Sequence, residues 1–139
     1  MKLSVKSDYA ARAVLGLARR EGNGAPTPVE VLAAEQGIPS NYLVQILLEL
    51  KAQNIVRSHR GKEGGYQLAR PAAQISMGDL IRCVHGQGFD TPAIHDPQCP
   101  PELRAAWRRI QAAVDGALDG ITIQQLVEDG GDKDKMYYI

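Results

Sequence analysis

The sequence predicts a mainly α-helical chain with one small β-hairpin, an α+β composition. Three observations predict it. Apolar residues recur at helical spacing through residues 7–53 and again from residue 101 onward. Between those stretches, IVRSH and YQLAR read as two short strands around RGKEGG. In 139 residues with 44% hydrophobic and 23% charged side chains, no apolar run approaches the ~18 residues of a membrane span.

The first helix is SDYAARAVLGLARR, with Ser7 as its expected cap and Ala10, Ala13, Val14, Leu17 and Ala18 on one face. EGNGAPTP is a loop. Thr27 is expected to cap a second helix through a T-P-V-E capping box, with Pro28 at the first position and Glu30 reaching back. Gly37 ends that helix. Only GIP separates it from Ser40, the expected cap of SNYLVQILLELKAQ, where Leu43, Ile46, Leu47 and Leu50 form a stripe to bury.

Two helices joined by so short a turn, Gly first, have the pattern of a helix-turn-helix, though an ordinary helical hairpin fits the pair equally well. The following hairpin shifts the balance. Gly61, Gly64 and Gly65 supply positive φ and a small profile, and Arg60 and Lys62 place cations at the tip. Three helices followed by a basic, glycine-rich hairpin describe a winged helix-turn-helix. The loop joins two strands and opens no helix, so it is not a phosphate cradle.

Past Pro71, Ser76 is expected to cap MGDLIRCVHG, and QGFDTPAIHDPQCPP reads as irregular. The helix PELRAAWRRIQAAVDGALDG carries Leu103, Trp107, Ile110, Val114 and Ala117 at spacings of 4, 3, 4 and 3. That is a heptad seam. A two-fold dimer is its expected use, with packing inside the monomer as the alternative. Thr122 is expected to cap IQQLVED, and EDGGDKDK leads to a closing MYYI. Residues 1–75 are therefore read as a winged helix-turn-helix DNA-binding domain, 76–130 as dimerisation helices and 131–139 as a flexible C-terminal tail.

Charge supports this order. Residues 1–70 hold ten Lys and Arg against six acids, and residues 71–139 hold six against ten. A net +4 half beside a net −4 half suits an N-terminal unit that meets a polyanion. The start, MKLSVKSDYAARAV, lacks the apolar core of a signal peptide, so a cytoplasmic location is expected.

SVKSDYAARAVLGLA, IPSNYLVQILLELKAQNIVRSHRGKEGGYQLAR and DGITIQQLVED together resemble the Rrf2 family of bacterial winged-helix regulators, over nearly the whole chain. The most specific pieces are the N-terminal helix phrase, the R-G-x-x-G-G-Y wing and the terminal T-I-x-x-L. The resemblance implies a homodimeric, sequence-specific DNA-binding repressor. Ser40, Asn41, Tyr42 and Gln45 are then the expected contacts of the helix at 40–53. Asn and Gln pair with adenine, while Ser and Tyr suit phosphate. Core packing is the alternative for Tyr42. Arg60, at a tip it shares with Gly61, is the expected minor-groove reader, and Lys6 and Lys62 are expected on the backbone.

Some family members hold an iron–sulfur cluster on three cysteines in the loop before the dimer helix. Here that loop, residues 86–100, contains only Cys99, while Cys83 lies earlier among Leu80, Ile81 and Val84. Adding His85 and His95 reaches four ligands but no compact spacing, so neither cofactor nor metal is expected. Cys99 is read as a solvent-exposed spectator, with a redox-sensing thiol as the alternative. Asp79, His85, His95 and Cys99 fall in no catalytic motif, and no enzyme activity is expected.

Members lacking the cysteine triad include a repressor of cysteine metabolism that also ends on an aromatic-rich tetrapeptide closing in isoleucine. That ending resembles the C-terminus of serine acetyltransferase, which inserts its last isoleucine into the active site of cysteine synthase. The resemblance thus implies Met136, Tyr137, Tyr138 and Ile139 as a tail for cysteine synthase. A carboxylate beside an apolar side chain mimics an amino-acid substrate, and backbone N–H groups can capture it. The polar stretch 128–135 would supply reach. Two alternatives stand beside this: the tail tucks Tyr138 and Ile139 onto its own dimer, or the chain is a regulatory subunit of cysteine synthase with a vestigial wing.

Overall fold

In this computed structural model the described residues are 2–137, without the side chains of 23 and 132–137. Six α-helices and one hairpin follow in the order α1 (Val5–Arg19), α2 (Val29–Gln36), α3 (Ser40–Ala52), β1 (Val56–His59), β2 (Gly65–Leu68), α4 (Met77–Val84), α5 (Pro101–Asp119) and α6 (Ile123–Tyr137). The two strands pair antiparallel, Val56 opposite Leu68 and His59 opposite Gly65.

The helix starts correct three of the expected caps. Ser4, not Ser7, caps α1, its Oγ accepting from the Ser7 N–H at 3.3 Å. Ser7 is only 2% exposed, because it continues the buried stripe of Ala10, Val14 and Leu17 back by one turn. Neither Thr27 nor Ser40 caps a helix. Pro28 and Pro39 hold those positions, and their carbonyls accept the first helical bonds, from Leu32 and Leu43. Thr27 instead exchanges backbone hydrogen bonds with Tyr66, both at 2.9 Å, and lengthens the hairpin sheet by one bridge. The bridge holds Thr27 in extended backbone one residue ahead of the helix, and Pro28 takes the cap position.

Two later caps form as expected. Ser76 Oγ accepts from the Asp79 N–H at 3.1 Å, and Asp79 Oδ2 accepts from the Ser76 N–H at 2.9 Å, a full capping box. Thr122 Oγ1 accepts from the Gln125 N–H at 3.2 Å.

The core is continuous across residue 75. Val14, Leu32, Leu43, Ile46, Leu47, Leu50 and Ile55 share it with Ile75, Leu80 and Ile123. The Met77 and Ile123 N–H groups bond to the carbonyls of Ile121 and Ile75, each at 2.8 Å, so the segment before α6 is stitched to the one before α4. That stitch returns α6 to α1.

One boundary differs at the end of the chain. The backbone of α6 stays helical across Gly130 and Gly131 to Tyr137, where the periodicity alone ends it at Asp129. Each glycine costs about 1 kcal/mol relative to alanine. The sequence offsets this in part, because Asp129 and Lys133 stand at the i,i+4 spacing that supports a helix. The tail reading over Met136 and Tyr137 thus falls on helical backbone, and Tyr138 and Ile139 lie outside the described residues.

Candidate nucleic-acid interface

Helix α3 is two-sided. Leu43, Ile46, Leu47 and Leu50 are fully buried, while Ser40, Asn41, Val44, Gln45 and Leu48 are exposed. Tyr42 straddles the two readings made for it: it is 38% exposed, and its ring meets that of Tyr9 edge-on at 5.6 Å. Asn41 and Gln45, four residues apart on the first turns, present their amides outward together.

Lys6 stands differently from the sequence expectation. It is half-buried, and its Nζ donates to Glu49 Oε1 at 2.6 Å, which ties the start of α1 to α3. The Lys6 side chain stays 28% exposed in that pair. The partner lies 43 residues away in sequence.

The wing carries its cations as expected. Arg60 and Lys62 are exposed beside Gly61, whose φ of 108° lies in the region that favours glycine. The turn is closed by a bond from the Gly64 N–H to the Gly61 carbonyl at 3.0 Å. At Gly65 a Cβ would overlap the Thr27 carbonyl, so glycine there lets the wing root close onto Thr27.

The seam on α5 divides. Trp107 and Val114 are half-buried on the side facing their own chain, and the Trp107 ring stacks on Phe89 at 6.1 Å. Leu103 and Ile110 remain 44% and 42% exposed, alongside Ala106, Ala113 and Ala117. A 3.6-residue helix spreads one heptad stripe over two neighbouring surfaces, and loop 86–100 covers only one of them.

The two cysteines lie apart in character. Cys83 Sγ donates to the Glu49 carbonyl at 3.4 Å. Burial pushes its thiol pKa up, the Glu49 carboxylate adds to the rise, and Lys6 opposes it. Cys99 is only 7% exposed, which overturns the expected solvent-exposed spectator. The loop folds back onto α5, where Arg104 donates to the carbonyls of Asp96 at 2.6 Å and Cys99 at 3.1 Å. His85 and His95 are exposed, and Asp79 is engaged by the capping box. No three His, Cys, Asp or Glu side chains converge among the described residues.

Three helices, an antiparallel wing with cations at its tip and outward amides on the third helix define a winged helix-turn-helix module, a DNA-binding architecture. Residues 3–129 match the Rrf2 family model, described as an iron-dependent transcriptional regulator. The chain belongs to the Rrf2 family. A Mycobacterium tuberculosis protein classed as an HTH-type transcriptional regulator is 39% identical over 128 residues, covering 88% of this chain and 79% of that one. The HTH-type transcriptional regulator CymR of Bacillus subtilis is 33% identical over 141 residues, covering 100% of both. The solved structure of B. subtilis CymR, described as its global cysteine regulator, superposes with a TM-score of 0.80 at 30% identity, covering 92% of this chain and 97% of that one. This chain is accordingly a DNA-binding transcriptional regulator. Its donors do not fit the iron of the family description, because Cys83 is bonded beneath α3 and Cys99 is enclosed by the loop.

Val44, Leu48 and Glu49 are the residues that sequence reasoning passed over at this site. Val44 and Leu48 were legible as apolar positions lying off the buried stripe, whereas nothing local marks Glu49 as the partner of Lys6.

Proposed function

We propose that the chain is a homodimeric, sequence-specific repressor of sulfur-metabolism genes, controlled by cysteine synthase through its closing residues. In this reading α3 enters the major groove with Ser40, Asn41, Tyr42 and Gln45, and the wing sets Arg60 into the adjacent minor groove with Gly61 and Lys62 on the backbone. The observation that carries it is the outer face of α3, where exposed amides project from a helix whose inner face is fully buried. The exposed side of α5, with Leu103 and Ile110, supports the dimer. Trp107 and Val114 support it indirectly, by holding α5 to its own domain.

The sulfur assignment is supported by the whole-length similarity to CymR. The cysteine synthase assignment is supported by the closing Met136, Tyr137, Tyr138 and Ile139. An apolar residue with a free carboxylate offers that enzyme a substrate-like end, and two tyrosines add contact area at low entropy cost. Mobility shifts with sulfur-gene promoters at moderate salt test the DNA part, and calorimetry with the peptide DKDKMYYI tests the tail. The acid is expected to bind cysteine synthase and compete with O-acetylserine, and the C-terminal amide to lose most of that binding. Equal binding by acid and amide would defeat carboxylate capture. Absence of any shift on promoter DNA would favour the regulatory-subunit reading instead.

A further inference from the structure

Two apolar side chains on the outer face of α3 lie outside the hydrophobic core of the chain. Val44 is 36% exposed and Leu48 49% exposed, although the core beneath is complete with Leu43, Ile46, Leu47 and Leu50 fully buried. Helix propensity does not explain Val44 either, since β-branched valine is a poorer helix former than the lysine or glutamate a solvated face normally carries. Single exposed apolar residues are ordinary, but these two share a strip. Residues 41, 44, 45 and 48 follow one another at spacings of 3, 1 and 3, so Asn41 and Gln45 alternate with Val44 and Leu48 along one ridge.

The alternation has a chemical counterpart. In the major groove an A·T pair presents the adenine N7 acceptor and N6 donor next to the thymine O4 and its C5-methyl, the one apolar feature of a base edge. An amide satisfies the adenine edge, and an adjacent apolar group covers the methyl. Valine suits the second task, because its branched, stiff side chain offers its methyls from a fixed position. A protein partner would instead strand the Asn41 and Gln45 amides in an apolar contact, at a desolvation cost.

We propose that Val44 is a specificity-determining residue that reads a thymine C5-methyl group in each half-site, with Leu48 extending the apolar track one turn further. This rests on the proposed placement of α3 in the major groove. The test uses the full chain and an operator selected from random duplexes. Each thymine is replaced in turn by deoxyuridine, which removes the methyl and leaves the hydrogen-bonding edge intact. For the unmodified protein one position per half-site is expected to lose about fourfold in affinity, the scale of one buried methyl. Val44→Ala is expected to lose a similar factor on the thymine operator and to bind the thymine and deoxyuridine forms of that site equally. Leu48→Ala should do the same at a second thymine. Alanine favours the helix, and circular dichroism verifies that both variants keep it. A deoxyuridine penalty that persists in Val44→Ala, or no penalty at any position, overturns the inference. Asn41→Ala and Gln45→Ala separate the two levels. If neither alters affinity or base preference, the placement of α3 itself fails. If both do while Val44→Ala behaves as the unmodified protein, only the methyl reading fails.

Discussion

Arg60 and Lys62 sit two residues apart at the tip of the wing, yet their expected contacts differ in kind. A guanidinium in a narrow minor groove senses groove width, so Arg60→Ala is expected to cost about 1–3 kcal/mol and to relax preference at A·T-rich flanks. Lys62→Ala should weaken all duplexes alike and lower the salt slope by about one. Titrations across a salt series and a set of flanking sequences decide it, and an Arg60→Ala variant unchanged in both respects removes the wing from groove reading. Cys83 makes a separate prediction at the same scale. Burial, followed by the Glu49 carboxylate, raises its pKa in the folded chain. A raised folded pKa favours the neutral thiol, so the stability it contributes is full below the unfolded thiol pKa and is lost as pH rises through the folded one. Alkylation of Cys83 by iodoacetamide, followed peptide by peptide in mass spectra, should therefore lag behind a free thiol at mildly alkaline pH. Glu49→Gln removes the carboxylate contribution and should speed it. Identical rates for the two proteins would refute the carboxylate's share and leave burial as the cause.

At the scale of elements, α5 separates two tasks that the heptad pattern merges. Ile110 lies on the free side, 42% exposed, and Trp107 lies against Phe89 in its own chain. Ile110→Asp is expected to dissociate the dimer in sedimentation while leaving the helical signal intact. Trp107→Ala should chiefly destabilise the fold, by about 1–3 kcal/mol for a half-buried stacked aromatic, and leave the dimer associated. The opposite assignment of effects would mean that the covered and free faces have been exchanged. Helix boundaries show a similar division. Ser76 and Thr122 cap as their spacing predicts, whereas Thr27 and Ser40 do not, because a proline follows one and precedes the other and takes the cap position.

For the whole molecule, α1 is a hub of the packing, with α2 and β2 against it. It meets α3 through Lys6–Glu49 and Tyr9–Tyr42, and it also packs on α4 and α6. A dimer built on the free face of α5 should present its two α3 helices one turn of DNA apart, roughly 34–36 Å, or a multiple of that. Footprinting is expected to show an imperfect palindrome with that spacing. Deleting residues 136–139 should leave dimerisation and the affinity for free DNA unchanged while abolishing any effect of added cysteine synthase. A mobility shift run with and without the enzyme measures this, and a truncated protein that still responds would place the partner elsewhere. No described helix is long and apolar enough to cross a membrane.

Periodicity in the chain was sufficient to mark out the three N-terminal helices, the wing with Arg60 and Lys62, the long helix from residue 101 and the outward amides of Asn41 and Gln45. These features are encoded locally, because face and turn depend on spacing over a few residues and on where glycine and proline stand. The tertiary structure alone decided that Lys6 is held by Glu49, that Thr27 joins the sheet, that Cys99 is enclosed and that the α5 stripe is split by loop 86–100. Each of those depends on which remote segment arrives beside a side chain. Long-range packing sets that arrival, and no local pattern records it.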